Sequence, residues 1–161
     1  MTIRYAVPDD VPALSAVEAD CFPPAEAATA AEFAERVSYY GNHFWLMFDG
    51  DKLISFVDGF VTDDADLTDE MYENAAMHNE NGAWQMIFGV NTLPAYRQQG
   101  YAAELIQKAI ADVKEQGRKG LVLTCKDRLV HYYAKFGFVD EGVTDKSTHG
   151  NVEWHQMRLT F

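Results

Sequence analysis

The stretch that decides the fold is Val90-Asn91-Thr92-Leu93-Pro94-Ala95-Tyr96-Arg97-Gln98-Gln99-Gly100-Tyr101-Ala102. Residues 84–90 lead into it as a mostly apolar run of strand length, as a central strand buried on both faces requires. Pro94 and Gly100 punctuate a turn, and residues 101–116 carry Leu105, Ile106, Ala109, Ile110 and Val113 at helical spacing. A strand therefore runs through a turn into a long helix. The first N–H groups of such a helix lack partners within it and stand at the positive end of its dipole. Gly100 permits close approach of a ligand, and Ala102 and Ala103 leave the amides uncovered, so the turn suits a phosphate or pyrophosphate. It is not a Walker loop, since no Gly-Lys-Ser/Thr follows, and it lacks the Gly-x-Gly-x-x-Gly of a dinucleotide fold. An ordinary strand–turn–helix has the same outline, so the turn alone leaves both readings open.

Upstream, residues 2–7 alternate as a strand, and Pro8-Asp9-Asp10 opens a helix capped by Asp9 or Asp10, with Val11, Leu14 and Val17 on one face. Cys21-Phe22-Pro23-Pro24 interrupts it, because proline cannot continue the hydrogen-bond ladder. The alanine-rich residues 25–40 predict a second helix with Phe33 and Val37 inside, ended by Gly41-Asn42. Residues 44–48 and 53–61 predict a hairpin turning at Asp49-Gly50-Asp51. The acidic residues 62–81 read as a loop with a short helix around 68–76. Downstream, Gly117 and Gly120 close the long helix, and 121–124, 138–141 and 152–159 read as strands, with a short helix over 129–135. The resulting order, β-α-α-β-β-(α)-β-α-β-α-β-β, predicts an α/β chain with a mixed sheet and helices on both faces.

The chain has 161 residues, which suits a single domain spanning 1–161. No apolar run approaches the roughly 20 residues of a spanning helix. The first five residues lack the pattern of a secretory signal, so a cytoplasmic location is expected. Of Cys21 and Cys125, which can in principle pair, two free buried thiols are the better expectation in such a chain. The formal charge is −12, which disfavours nucleic acid and anionic membrane surfaces as partners. That charge is unevenly spread: residues 53–96 hold 8 acids and no Lys or Arg, whereas residues 97–135 hold 8 basic and 4 acidic groups. Two ligands of opposite charge fit such a chain; so do solvated faces that keep it soluble.

A second informative segment is Cys125-Lys126-Asp127-Arg128-Leu129-Val130-His131-Tyr132-Tyr133-Ala134-Lys135-Phe136-Gly137-Phe138. Adjacent tyrosines cannot both face the core. Either one presents its hydroxyl to a cleft as a proton donor, or both are packing aromatics. Together, the Arg97-Gln98-Gln99-Gly100-Tyr101-Ala102 run and the segment from Leu129 to Phe138 resemble the GNAT superfamily of acetyl-CoA-dependent N-acetyltransferases. Within it the chain looks most like the arylalkylamine (serotonin-type) N-acetyltransferases, which pair an "Arg-Gln-Gln-Gly" turn with a "Leu-Val-x-x-Tyr-x-x-Phe-Gly-Phe" helix. The motif match runs from Trp84 to Phe138.

The resemblance implies a central, mostly antiparallel sheet with a splayed strand pair. It implies acetyl-CoA as cosubstrate, with no metal, and a pyrophosphate held by the amides of Gln98, Gln99, Gly100, Ala102 and Ala103, with Tyr101 in the same turn. The strand would bulge around Phe88-Gly89, Val90 would pair with the pantetheine arm, and the Phe88 amide would polarise the thioester carbonyl. Tyr133 aligns with the family tyrosine that protonates the departing thiolate, leaving Tyr132 for the core. The family pattern then fails at the base. Vertebrate relatives carry two histidines on the central strand, where Trp84 and Met86 stand here; with Phe22 these become expected substrate contacts. Insect relatives use a glutamate in an early loop, which makes Glu26 the expected base or ammonium anchor, against the alternative of a helix-start glutamate favoured by the dipole. His78 is the second choice of base, against the plainer reading of a solvated loop histidine.

The resemblance thus implies direct attack of a small cationic amine, arylalkylamine or polyamine, on the thioester. Aromatics at Phe22, Phe44, Trp45, Phe60, Tyr72 and Trp84 would hold an aryl ring or cover an ammonium, or else form core. A peptide or protein N-acetyltransferase and a non-catalytic acyl-CoA-binding module on the same fold are the competing readings. The chain would be a monomer, or a homodimer through the edge of its final strands.

Overall fold

The computed structural model describes residues 1–148 and 152–161. These form two compact units, neither continuous in sequence: Met1–Gly59 with Gly89–Ala109, and Phe60–Phe88 with Ile110–Phe161.

The first unit holds a four-stranded antiparallel sheet in the order β1-β2-β3-β6, made of β1 (Thr2–Arg4), β2 (Phe44–Asp49), β3 (Lys52–Asp58) and β6 (Gly89–Thr92). Helices α1 (Val11–Cys21) and α2 (Ala30–Tyr40) pack on each other, and α1 packs on β3 and β6. Asp10 does not cap α1 with its side chain. Its carboxylate accepts two 2.8 Å hydrogen bonds from the Arg4 guanidinium and one of 2.8 Å from the Val7 N–H, tying β1 to the helix start. The second helix begins at Ala30 rather than at residue 25. Thr29 and Glu32 form a reciprocal capping box, Glu32 N–H to Thr29 Oγ1 at 3.2 Å and Thr29 N–H to Glu32 Oε1 at 3.1 Å. That cap outweighs the helix propensity of the alanines before it. Phe33 is fully buried, edge-on to Phe44 and Phe56, and burial of such a ring contributes about 2–3 kcal/mol.

The hairpin is shorter than its apolar pattern suggested. β3 stops at Asp58, and the chain enters the second unit at Phe60, whose carbonyl accepts the Met86 N–H at 2.8 Å. There β4 (Val61–Thr62), β5 (Trp84–Ile87), β7 (Gly120–Cys125), β9 (Trp154–Thr160) and β8 (Val139–Thr144) make a five-stranded sheet in the order β4-β5-β7-β9-β8. Only the β5–β7 pair is parallel among the described strands. The acidic loop carries α3 (Asp69–Glu73), and α5 (Val130–Ala134) lies between β7 and β8. The expected central strand is broken at Phe88, and its halves β5 and β6 join different sheets. The helix α4 (Tyr101–Glu115) buries Leu105, Ile106, Ala109 and Val113, as its periodicity predicts, while Ile110 stays half-buried. Both cysteines are free; Cys125 is buried, but Cys21 is only half-buried, because it lies at the last residue of α1.

Candidate functional site

In the first unit, β6 is the edge strand of its sheet, pairing through Gly89–Asp58, Val90–Val57, Asn91–Phe56 and Thr92–Ser55. An edge of this kind accepts an extended, amide-bearing ligand as an added strand. The chain then passes through a 3-10 turn, Pro94–Tyr96, to Gln98 at φ 61° and Gly100 at φ 84°. Gln98 is the one non-glycine residue at positive φ among the described residues. A side chain held there is costly, so the turn is over-determined by its surroundings. Arg97 helps hold it: its Nε donates to the Thr92 carbonyl at 2.9 Å, and Gln99 Nε2 donates to Ala95 O at 3.3 Å. Cys21 Sγ donates to the same Thr92 carbonyl at 3.4 Å, fastening the end of α1 to β6. Gln98, Gln99 and Gly100 are exposed and Tyr101, Ala102 and Ala103 half-buried, at the start of a 15-residue helix. Residues at positive φ directly ahead of a helix start turn backbone amides toward one spot, which suits an anion.

The helix-covered face of the same sheet holds a charged cluster. Glu18 on α1, Arg36 on α2, and Asp58 and Asn91 on β3 and β6 are all buried, Asp58 and Asn91 at 1% exposure. Arg36 Nη1 donates to Asp58 Oδ2 at 3.2 Å. Glu18 Oε2 accepts the Ala28 N–H at 2.9 Å, which ties the loop between α1 and α2 to the cluster. Two carboxylates share one guanidinium here, so both cannot be ionised cheaply. Burial pushes the Glu18 carboxyl up to about 7, and the charge of Asp58 adds to it; the Ala28 N–H, Arg36 and Asn91 act the other way. Burial likewise pushes Asp58 up to about 6, against the pull of Arg36. Gly89 lies against this cluster. A Cβ placed there would stand 3.1 Å from Asp58 Oδ1, 3.2 Å from Asn91 Nδ2 and 3.8 Å from Glu18 Oε1.

Glu26 is buried, but it lies in the turn after Pro23, its N–H bonded to the Pro23 carbonyl at 2.9 Å. It precedes α2 by four residues, so the helix-start reading of this glutamate is excluded. Phe22 is half-buried in the same loop.

In the second unit, Phe88 belongs to neither strand half; its ring packs on Phe60 at 5.0 Å and Tyr72 at 4.9 Å. Trp84 is half-buried, with the Arg158 guanidinium 4.6 Å over its ring, so one face is already covered by a cation. Met86, expected against the substrate, is fully buried and serves as core. Phe44, Trp45 and Phe60 are core as well, each at 0% exposure. The two tyrosines are reversed from expectation. Tyr133 is the buried one, edge-on to Phe138 at 6.2 Å, and Tyr132 is half-buried against Phe136 at 5.4 Å. Burial pushes the Tyr133 hydroxyl well above the ordinary phenol value, which keeps it protonated and able to donate.

His78 is no solvated loop histidine. Its Nδ1 accepts the Val61 N–H at 3.0 Å, which places the ring proton on Nε2, 3.0 Å from Glu80 Oε1. Both ring nitrogens are thus engaged within the fold. The cation-free stretch also finds its counter-ions elsewhere in the chain. Asp58 pairs with Arg36, Asp66 with Lys146 and Arg158, and Glu80 with Arg118, while Asp69 receives the Thr148 N–H. Much of its charge therefore holds the fold together.

Sequence reasoning missed Glu18, Arg36, Asp58 and Asn91. The first two carried a signal: each stands on the apolar stripe of its helix, Glu18 after Leu14 and Val17, Arg36 between Phe33 and Val37. A charge on a buried stripe needs a partner across the core.

Residues 11–138 match the sequence model of the acetyltransferase (GNAT) family. The structure is similar to that of the GphF GNAT-like decarboxylase in complex with isobutyryl-CoA, at a TM-score of 0.84 and 20% identity over 99% of both chains. It is similar to the loading GNATL domain of CurA from Lyngbya majuscula, at 0.85 and 15% identity over 99% of this chain and 96% of that one. It is also similar to the ribosomal-protein-S18-alanine N-acetyltransferase from Escherichia coli, at 0.70 and 18% identity over 99% and 92%. At these identities the likeness is one of fold.

Proposed function

The chain belongs to the GNAT acetyltransferase family, and from that premise we propose that it transfers the acetyl group of acetyl-CoA to the primary amine of a small cationic acceptor, an arylalkylamine or a polyamine. The observation that carries the cofactor half is the turn at Gln98 and Gly100, two left-handed residues ahead of a long helix and next in sequence to an edge strand. The amides of residues 98–103 bind the pyrophosphate, and Val90 on β6 pairs with the pantetheine amides. The amine half rests on Glu18 and Asp58 behind Gly89, two buried carboxyls with one arginine among them, which leaves one carboxyl free to take a proton from an ammonium.

The reaction is a direct displacement. The free amine attacks the thioester carbon, a C–N bond forms, the C–S bond breaks, and the sulfur leaves as a thiolate that takes up a proton. Placing the amine against the carbonyl supplies much of the rate, through effective molarity. The Phe88 amide is assigned to the developing oxyanion and the Tyr133 hydroxyl to the thiolate, both on the strength of the family motif. No covalent enzyme intermediate is needed, so the reaction requires neither cysteine.

The test is release of free thiol from acetyl-CoA in the presence of phenethylamine, tryptamine, spermidine or a short peptide with a free N-terminus. Turnover with one or more of the small amines is expected. Turnover with the peptide alone replaces the acceptor by a polypeptide, and tight acetyl-CoA binding without turnover refutes the enzyme reading.

A further inference from the structure

We infer that Glu18 is the proton acceptor of this transfer: it takes the proton of the acceptor ammonium, relayed by water, at the place beside Gly89 where Glu18, Asp58 and Asn91 converge. The inference rests on the amine-transfer reading and puts the base on Glu18 in place of Glu26, the base the family resemblance implied where Trp84 and Met86 stand at the relatives' histidine positions.

Asp58 and Gly89 are cross-strand partners, and Asn91 follows Gly89 by two residues, so all three share the sheet face covered by α1 and α2. Only glycine leaves that spot open. Asp58 Oδ1, Asn91 Nδ2 and Glu18 Oε1 all lie within 3.8 Å of the Cβ that any other residue would bring. Asn91 is the second, independent sign. Its Nδ2 and Oδ1, like Asp58 Oδ1, are buried with no hydrogen bond within 3.5 Å, and Asn91 meets the Glu18 carboxyl only closely enough to lower its proton affinity. Buried polar atoms in that state are costly and rare unless a polar ligand or water meets them. They stand beside the edge strand proposed to hold the thioester.

The groups facing Glu18 define its proton affinity. From α2 comes Arg36, itself acted on by Tyr40 and Glu32; from β3 comes Asp58; from β6, Asn91; from the α1–α2 loop, the Ala28 N–H; and on its own helix, Cys21. Arg36 is committed to Asp58 at 3.2 Å, which leaves Glu18 as the carboxyl that titrates near neutrality, where a general base works best. Its Oε2 is anchored on Ala28, leaving Oε1 towards Gly89. The balance is simple. The ammonium gives one proton through water to Glu18, the neutral amine attacks, the adduct loses its second proton as the thiolate gains one, and Glu18 returns its proton to solvent.

The experiment measures kcat/KM for phenethylamine with acetyl-CoA between pH 5.5 and 9, for the wild type, Glu18→Gln and Glu18→Asp, with the acetyl-CoA Kd by calorimetry. The wild type should show an acidic limb centred near 7. Glu18→Gln should lose that limb and about 100-fold in kcat with Kd within twofold, and Glu18→Asp should keep a limb. A limb that persists in Glu18→Gln, or a loss that follows acetyl-CoA affinity instead of kcat, overturns the role while the amine-transfer reading stands. A wild type that binds acetyl-CoA but turns over no amine sinks both. A carboxyl titration of carbon-13-labelled Glu18 by NMR needs no variant to fold: a midpoint near 7 supports the role and one near 4.5 overturns it.

Discussion

Glu18→Gln should stabilise the protein at alkaline pH even as it removes the proposed base. In the fold, burial and Asp58 push the Glu18 carboxyl from 4.5 to about 7. At about 1.4 kcal/mol per tenfold in proton affinity, that displacement corresponds to about 3 kcal/mol. A group whose affinity is raised by folding stabilises the fold fully below its unfolded value, and that contribution is lost as pH rises through the folded value. Wild-type stability from this group should therefore fall between pH 4.5 and about 7. Glutamine keeps an oxygen for the Ala28 N–H, now bonded at 2.9 Å, and cannot ionise. Urea unfolding of both proteins, followed by tryptophan fluorescence since Trp45 is fully buried, supplies the comparison. The two curves should nearly coincide at pH 4, and by pH 8 the variant should be ahead by about 3 kcal/mol. A variant that is less stable at pH 8, or a difference that does not change with pH, refutes the placement of an ionisable Glu18 inside this cluster.

Arg36→Met leaves Asp58 buried with no cation, and should cost about 3–5 kcal/mol at pH 8 and less at pH 5.5, where Asp58, pushed up to about 6, takes a proton; urea unfolding at the two pH values checks this, and an equal loss at both contradicts it. Gly100→Val places a β-branched side chain at φ 84°, a strain of about 1–2 kcal/mol, and should weaken acetyl-CoA binding about tenfold by calorimetry; an unchanged Kd removes the turn from the cofactor site. Tyr133→Phe keeps the ring contact with Phe138 and removes only the hydroxyl, so kcat should fall about 100-fold with acetyl-CoA affinity intact; an unaffected kcat withdraws the thiolate-protonating role.

What could be read in advance was whatever depends on local pattern. The long helix after Gly100 shows its period in Leu105, Ile106, Ala109 and Val113, and the hairpin announces itself at Asp49-Gly50-Asp51. The failures have non-local causes. Alanines 25, 27 and 28 favour a helix, but the Thr29–Glu32 box starts it later and frees residues 22–29 to reach the buried cluster at Glu18. The apolar run 84–90 does not by itself show that it divides between two sheets; the family resemblance does, because the bulge expected around Phe88-Gly89 and the splayed strand pair fall where β5 and β6 part. Of the adjacent tyrosines, which one is buried is decided by Phe138, beyond the helix that carries both. The cluster itself joins residues 18, 36, 58 and 91, and only the pairing of β3 with β6 under two helices brings them together.

The most direct test of acetyl transfer to an amine is mass spectrometry of the products formed from acetyl-CoA and an equimolar mixture of phenethylamine, tryptamine and spermidine. One N-acetylated amine is expected for each CoA released. CoA appearing without an acetylated amine, or neither product despite bound acetyl-CoA, contradicts it.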